Sequence, residues 1–292
     1  MEGEWCTVMT APNVEAVQNY YDARVAGKLG DFTHVNPRIE AAIDLLAEWA
    51  PQRPRRILEI GCSVGATSWR MARAWPDAEV IGVDISPGSI EVAQGCFRLP
   101  NLSYRAGLVT PDFLTGEFDL VLMMDVYEHI PASDRPTVHA AIKAHLADEC
   151  RVVITVPTPA LQHAAIDIPG GLQPVDEDIG LDEIKTLATD TATQLLYMRQ
   201  IGIWEYGDYA HLVFGRFEEL AKVAVREQRP EGGGMRTRLK AWLRGAESVA
   251  SSGRRGYLGH DVGCPPSGNP ADKLRVSVEE RRRVVSAWQS KS

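Results

Sequence analysis

From Arg55 onward, short apolar runs alternate with longer amphipathic stretches. The runs cover 57–60, 80–83, 102–104, 118–124 and 152–156. Runs apolar at successive positions, bounded by turn-forming residues, predict strands buried on both faces, as in a parallel sheet. Between the first two runs, Val64, Ser68, Met71, Ala72 and Trp75 share one face of a helix, and the later intervals leave room for further crossover helices. This is a βαβ pattern and predicts a doubly wound α/β domain. Upstream, the pattern predicts helices over 14–26 and 37–49, the second with Ile39, Ala42, Ile43, Leu46 and Trp49 at helical spacing, and 27–32 as the break between them. Downstream of the fifth run lie a long proline-marked loop, a helix over 181–190, and two strands, 194–203 and 209–217, that form an antiparallel hairpin closing the sheet. Beyond 218 come helical patches at 236–248 and 276–288, separated by Gly232-Gly233-Gly234 and a Gly, Ser and Pro-rich run over 251–270. The expected organisation is a helical cap (1–54), a ligand-binding α/β domain (55–217) and a C-terminal helical appendage (218–292).

Composition narrows this picture. The net charge of −8 is unevenly spread: 16 of the 31 Lys and Arg but only 9 of the 39 Asp and Glu fall from Arg216 onward. The body is therefore acidic and repels phosphate backbones, so nucleic acid is not expected as substrate. No stretch approaches the roughly 18 apolar residues of a membrane span, and no basic-then-apolar leader opens the chain, so a soluble cytoplasmic protein is expected. Cys6, Cys62, Cys96, Cys150 and Cys264 are odd in number and never form CxxC, which predicts reduced thiols and no zinc knuckle.

The first strand runs into Glu59-Ile60-Gly61-Cys62-Ser63-Val64-Gly65, a tight strand-to-helix turn of small residues where a ligand can approach the backbone. The second strand ends in Asp84, about 20 positions later, where a carboxylate is placed to accept from ribose hydroxyls. Ser63 and Ala66 occupy the second and third glycine positions of a dinucleotide fingerprint, which disfavours NAD and an oxidoreductase. The same string formally matches the G-x-S-x-G nucleophile elbow, with Asp125 and His211 in the required order, but only helices precede its strand, unlike a hydrolase.

The segments 57–65, 80–86 and 118–130 resemble motifs of class I S-adenosylmethionine-dependent methyltransferases, especially those acting on small molecules, lipid quinones and sugars. The resemblance covers roughly residues 14–217 and implies a seven-stranded Rossmann-like sheet, mostly parallel, with a C-terminal antiparallel hairpin, an N-terminal helical cap and a C-terminal helical appendage. It implies that Gly61, Cys62 and Gly65 line the methionine part of S-adenosylmethionine (or the product S-adenosylhomocysteine), with Glu59 among the cofactor-binding residues. By the same resemblance Asp84 holds the ribose diol, Ile85 covers the adenine, and Asp125 lies near the methyl group. Two departures stand out: Ser63 replaces a glycine, and Arg105-Ala106-Gly107-Leu108 lacks the acidic residue many relatives place near the adenine, leaving backbone groups around Gly107, with Asp112 a weaker substitute. The N-terminal helices, with Tyr20-Tyr21-Asp22 and Asn36-Pro37-Arg38, resemble the cap that closes over cofactor in these enzymes, with Tyr21 (or Tyr20) near the sulfonium. The segment Gln173-Pro174-Val175-Asp176-Glu177 resembles one in methyltransferases of sugar and lipid-linked glycan pathways.

Methyl transfer needs alignment more than acid–base chemistry, so catalytic residues are few. The candidates are Asp125, His129 and His163, all on loops at the carboxyl ends of strands, where ligands of open α/β sheets bind. His211 is expected to be a strand residue with a satisfied hydrogen bond. Asp125, Glu128, His129 and His163 would hold a divalent ion only if their loops converged, and no metal is expected. The expected function is O-methylation of a sugar or specialised metabolite, a natural-product type of acceptor, with N- or C-methylation next. A catalytically silent cofactor-binding module is the alternative of another class, and a homodimer is an open possibility.

Overall fold

The computed structural model describes residues 13–216 and 270–290. Seven strands form one sheet in the order β3-β2-β1-β4-β5-β7-β6. They are β1 (Arg56–Ile60), β2 (Glu79–Asp84), β3 (Leu102–Ala106), β4 (Phe118–Met124), β5 (Leu146–Pro157), β6 (Gln194–Ile201) and β7 (Tyr209–Arg216). Strands β1 to β5 pair in parallel, and β7 runs antiparallel to both β5 and β6. The order reverses direction at β1, between β2 and β4, which is the switch point where open α/β sheets bind ligands.

Both sheet faces are covered, which is why the strands read as unbroken apolar runs. Leu58, Ile60, Val121 and Met123 turn to one face, against helices α6 (Arg135–His145) and α8 (Leu181–Asp190). Ile57, Leu120 and Leu122 turn to the other, against α3 (Pro37–Trp49) and α4 (Ala66–Ala74). Helix α5 (Pro87–Cys96) follows β2, with Ser86 as its side-chain cap, and α7 (Pro159–Ala165) follows β5.

Three differences from the sequence expectations have clear causes. The N-terminal region forms α1 (Val14–Asp22), α2 (Val25–His34) and α3, so 27–32 is helical and the chain breaks at Ala23-Arg24 instead. Leu29 and Phe32 are buried against Trp69 and Phe97, and this burial overrides the cost of about 1 kcal/mol for each of Gly27 and Gly30 in a helix. Strand β5 begins at Leu146, ahead of its apolar run, because Leu146 pairs with Phe118 across a register shift. Strand β6 stops at Ile201 because the Asp208 carboxylate accepts from the backbone of Ile203, Trp204 and Glu205 (2.8, 2.9 and 3.1 Å), folding those residues into the turn.

The patch expected at 276–288 forms α9 (Val278–Gln289), capped by Ser277 and packed on α2 and α5, with Trp288 against Gly95. The patch at 236–248 lies outside the described residues. None of the described helices is long and apolar enough to cross a membrane.

His211, on β7 opposite Thr155 and Arg199, is a strand residue as expected, but among the described residues its buried Nε2 has no hydrogen-bond partner. Burial, with a smaller push from Arg199 and opposition from Asp125, lowers its pKa to about 4. The unfolded chain then binds this proton more readily than the native one. Stability should fall by about 2–3 kcal/mol as the pH drops from 6.5 to 4. His211→Phe should flatten that window in urea titrations at each pH, and an unchanged slope would contradict the assignment.

Candidate active site

The turn after β1 is built on left-handed backbone at Gly61 (φ +74°), Ser63 (φ +51°) and Gly65 (φ +84°). Gly61 and Cys62 donate to the carbonyl of Val83 (2.7 and 2.9 Å), which locks the turn to the end of β2. A side chain at Gly61 would meet Val126 at 2.2 Å, and one at Gly65 would meet the Tyr104 ring at 2.6 Å. Ser63 tolerates the same region as a single short polar residue at a cost of about 1–2 kcal/mol.

Asp84, 9% exposed, closes the turn. One carboxylate oxygen accepts from Ser63 N (2.7 Å) and the other from Ser86 N (2.9 Å). Gly107 N donates to the Asp84 carbonyl (2.9 Å), so the tip of β3 joins the same ledge, while Ile85 is half-buried beside it and Asp112 is exposed. Glu59 is buried under the turn and accepts from the Ser68 hydroxyl, and burial pushes its carboxyl up to about 8. Burial likewise raises the Cys62 thiol.

A cavity of about 90 Å³ adjoins this turn, walled by Glu59, Gly61 to Val64 and Asp125 on the sheet side and by Lys28, Phe32 and Arg38 from the cap. Asp125 sits in left-handed backbone (φ +54°) at the tip of β4. It accepts from Thr155 Oγ1 (3.0 Å) and pairs with Arg38 Nη1 at 2.7 Å. Burial alone would lower the Arg38 pKa, but Asp125 and Tyr209 outweigh it and hold the guanidinium firmly charged. Lys28 is pulled the other way, by burial first and by Arg38 second.

His129 lies in a short 3₁₀ turn, Tyr127–His129. Its Nδ1 faces Val175 O (2.8 Å) and Asp176 Oδ1 (2.9 Å), and its Nε2 faces the Gln173 amide (2.7 Å) and Glu128 Oε1 (3.5 Å). Burial lowers its pKa, but Glu128, Asp176 and Val175 together leave it raised. Glu128 is fully buried, and its second oxygen has no partner among the described residues. Tyr21 is half-buried, its ring 6.5 Å from that of His129, and burial with the nearby Glu128 raises its hydroxyl pKa.

The candidates thus separate. Glu59, Gly61, Cys62, Gly65, Asp84, Ile85 and Gly107 meet at the tips of β1 to β3, while Asp125 sits at the tip of β4 and Tyr21 and His129 pack side by side. His163 stands apart on α7, 63% exposed and bonded to Asp178 (2.7 Å), because α7 turns that face to solvent. Among the described residues, no group of three or more His, Cys, Asp and Glu is placed to hold a metal ion. The sequence places Arg38 in the cap, but gives no sign of Lys28 and Arg70 as cavity residues. A lone cation on a helix carries no signal that separates a buried position from a solvated one.

Residues 57–149 match the family model described as a methyltransferase domain. Residues 57–149 thus carry a methyltransferase domain, and the sheet has the Rossmann-like fold of class I S-adenosylmethionine-dependent methyltransferases. The ubiquinone biosynthesis O-methyltransferase of Azorhizobium caulinodans is 34% identical over 116 residues, 36% of this chain and 45% of that protein. The ajmaline N-methyltransferase of Rauvolfia serpentina is 30% identical over 89 residues, 29% of this chain and 30% of that protein. The chain thus aligns with less than half the length of either relative. Magnesium protoporphyrin IX methyltransferase from Synechocystis, solved with bound S-adenosylhomocysteine, has the same fold, with a TM-score of 0.55 and 17% identity over 70% of this chain and 99% of that one. This methyltransferase-type sheet accounts for the antiparallel β7 inserted between β5 and β6.

Proposed function

We propose that the chain is a cytoplasmic enzyme that moves the methyl group of S-adenosylmethionine to a small-molecule acceptor, with O-methylation of a sugar or specialised metabolite as the favoured reaction. The observation that carries this reading is Asp84, held by Ser63 N and Ser86 N against the left-handed turn of Gly61 and Gly65. That arrangement suits a ribose diol beside a chain that approaches backbone. Buried N–H groups of Arg70 on the cavity wall, without a partner among the described residues, suit the anionic end of the same ligand. The bound cofactor supplies an electrophilic methyl on a sulfonium. The residues here need mainly to align it, which is worth about 7–11 kcal/mol.

Asp125, charge-paired with Arg38 and bonded to Thr155, serves to position ligand atoms. His129 is the general base in this reading. Anchoring of Nδ1 by Val175 and Asp176 leaves Nε2 to take the acceptor's proton, where it meets Gln173. Those three partners lie in the segment that resembles sugar and glycan methyltransferases, which favours a hydroxyl acceptor over an amine. His163, paired with Asp178 at the surface, receives no role in this proposal.

His129→Gln should lower kcat by about 10²–10⁴-fold with cofactor affinity unchanged. Because the His129 pKa is raised, the wild-type rate should climb as pH rises past the ordinary histidine range near 6.5, and the variant should lose that limb. The assay follows labelled methyl transfer into a metabolite pool and a product heavier by one methylene. A rate within about threefold of wild type would remove His129 from the base role. Cofactor binding with no acceptor methylated would instead favour a non-catalytic binding module.

A further inference from the structure

Arg70, on α4, is 1% exposed and lines the cavity beside the glycine turn. Among the described residues only its Nη2 is engaged, donating to Glu40 Oε1 at 2.9 Å, while Nε and Nη1 are buried without partners. The same Glu40 oxygen accepts from Arg281 Nη1, also at 2.9 Å. Arg281 comes from α9, far along the chain, and is 3% exposed. It donates as well to the carbonyls of Phe32 (Nη1, 3.2 Å) and Val276 (Nε, 2.8 Å). The Phe32 ring, itself on the cavity wall, lies 5.6 Å from the Arg70 guanidinium and 5.5 Å from that of Arg281.

Two buried cations therefore share one carboxylate. Glu40 is held below the usual carboxylate range by both arginines, against the upward push of burial. The neighbouring Glu59 carboxyl is pushed up by its own burial and accepts from the Ser68 hydroxyl, not from Arg70. A buried donor without a partner costs about 1–3 kcal/mol, and an excess buried positive charge costs more. An anionic group arriving in the cavity would relieve both.

We propose that Arg281 is a positioning residue of the cofactor site: through Glu40 it fixes Arg70 to receive the ligand's carboxylate, and through the Phe32 carbonyl it holds the helix that closes the cavity. This inference rests on the cofactor reading above. It makes α9 a strap across the cap, with its own effect on ligand affinity.

The test compares, by calorimetry on the full chain, S-adenosylhomocysteine, which carries the carboxylate, with 5′-methylthioadenosine, which lacks it. Arg281→Met should weaken S-adenosylhomocysteine at least tenfold and leave 5′-methylthioadenosine within about twofold. Arg281→Lys, which keeps a cation against Glu40, should recover most of the loss, and Arg70→Met should show the same selectivity as Arg281→Met. Should Arg281→Met fail to fold, Glu40→Gln loosens both arginines with little change of shape and should give the same selective loss. Equal weakening of both nucleosides, or of neither, overturns the strap's role while leaving the cofactor assignment intact. Wild-type protein that binds neither overturns both.

Discussion

Asp84→Ala should weaken S-adenosylhomocysteine binding by about 100-fold or more. The carboxylate performs two tasks at once. It accepts from Ser63 N and Ser86 N, tying the glycine turn to the start of α5, and it presents its remaining lone pairs beside that turn. Hydrogen bonds to a buried charge are worth about 1.5–3 kcal/mol each, so losing the ligand's share alone accounts for one to two orders of magnitude. Asp84→Asn should recover little, because an amide cannot accept from both backbone donors: its NH₂ would face one of them. Titration of both variants, with a denaturation curve for each, separates lost contacts from lost structure. Affinity within about fivefold of wild type would mean that Asp84 does not reach the ligand.

Gly65→Val should produce the largest loss of stability, about 3–5 kcal/mol. Gly65 has φ +84°, where an L residue is strained by about 1–2 kcal/mol, and a β-branched one more. A Cβ there would also come within 2.6 Å of the Tyr104 ring, whose hydroxyl donates to the Gly65 carbonyl at 3.0 Å. Tyr104 is buried and cannot swing aside without vacating that bond, so overpacking adds about 1–3 kcal/mol. A urea titration measures the shift, and a midpoint displaced by less than about 1 kcal/mol would show that the turn relaxes freely.

The parallel strands were legible because their two buried faces leave apolar side chains at every position, as at Leu120 to Met123. Helix α2 was not, since Gly27 and Gly30 argue locally for a break, and only contact of Phe32 with Trp69 and Phe97 makes it helical. The glycine turn after β1 was legible for a similar reason: tight backbone demands glycine at Gly61 and Gly65, and those demands are written into the sequence. The charged half of the cavity was not. Nothing in the periodicity brings Arg70 and Arg281 together, and Glu40 joins the two across more than two hundred residues. His129 was legible as a site candidate from its place after β4, whereas the partners that fix its ring, Val175 and Asp176, come from a loop whose path no periodicity predicts. His163 lies on the same long connection after β5, yet its helix faces water.

The central claim is that the turn from Glu59 to Gly65, with Asp84 beside it, holds S-adenosylmethionine. Calorimetric titration of the full chain with S-adenosylmethionine, S-adenosylhomocysteine and NAD tests it most directly. The first two should bind at one site per chain and compete with each other, and NAD should give no heat. Binding of NAD with no response to either of the others would contradict it.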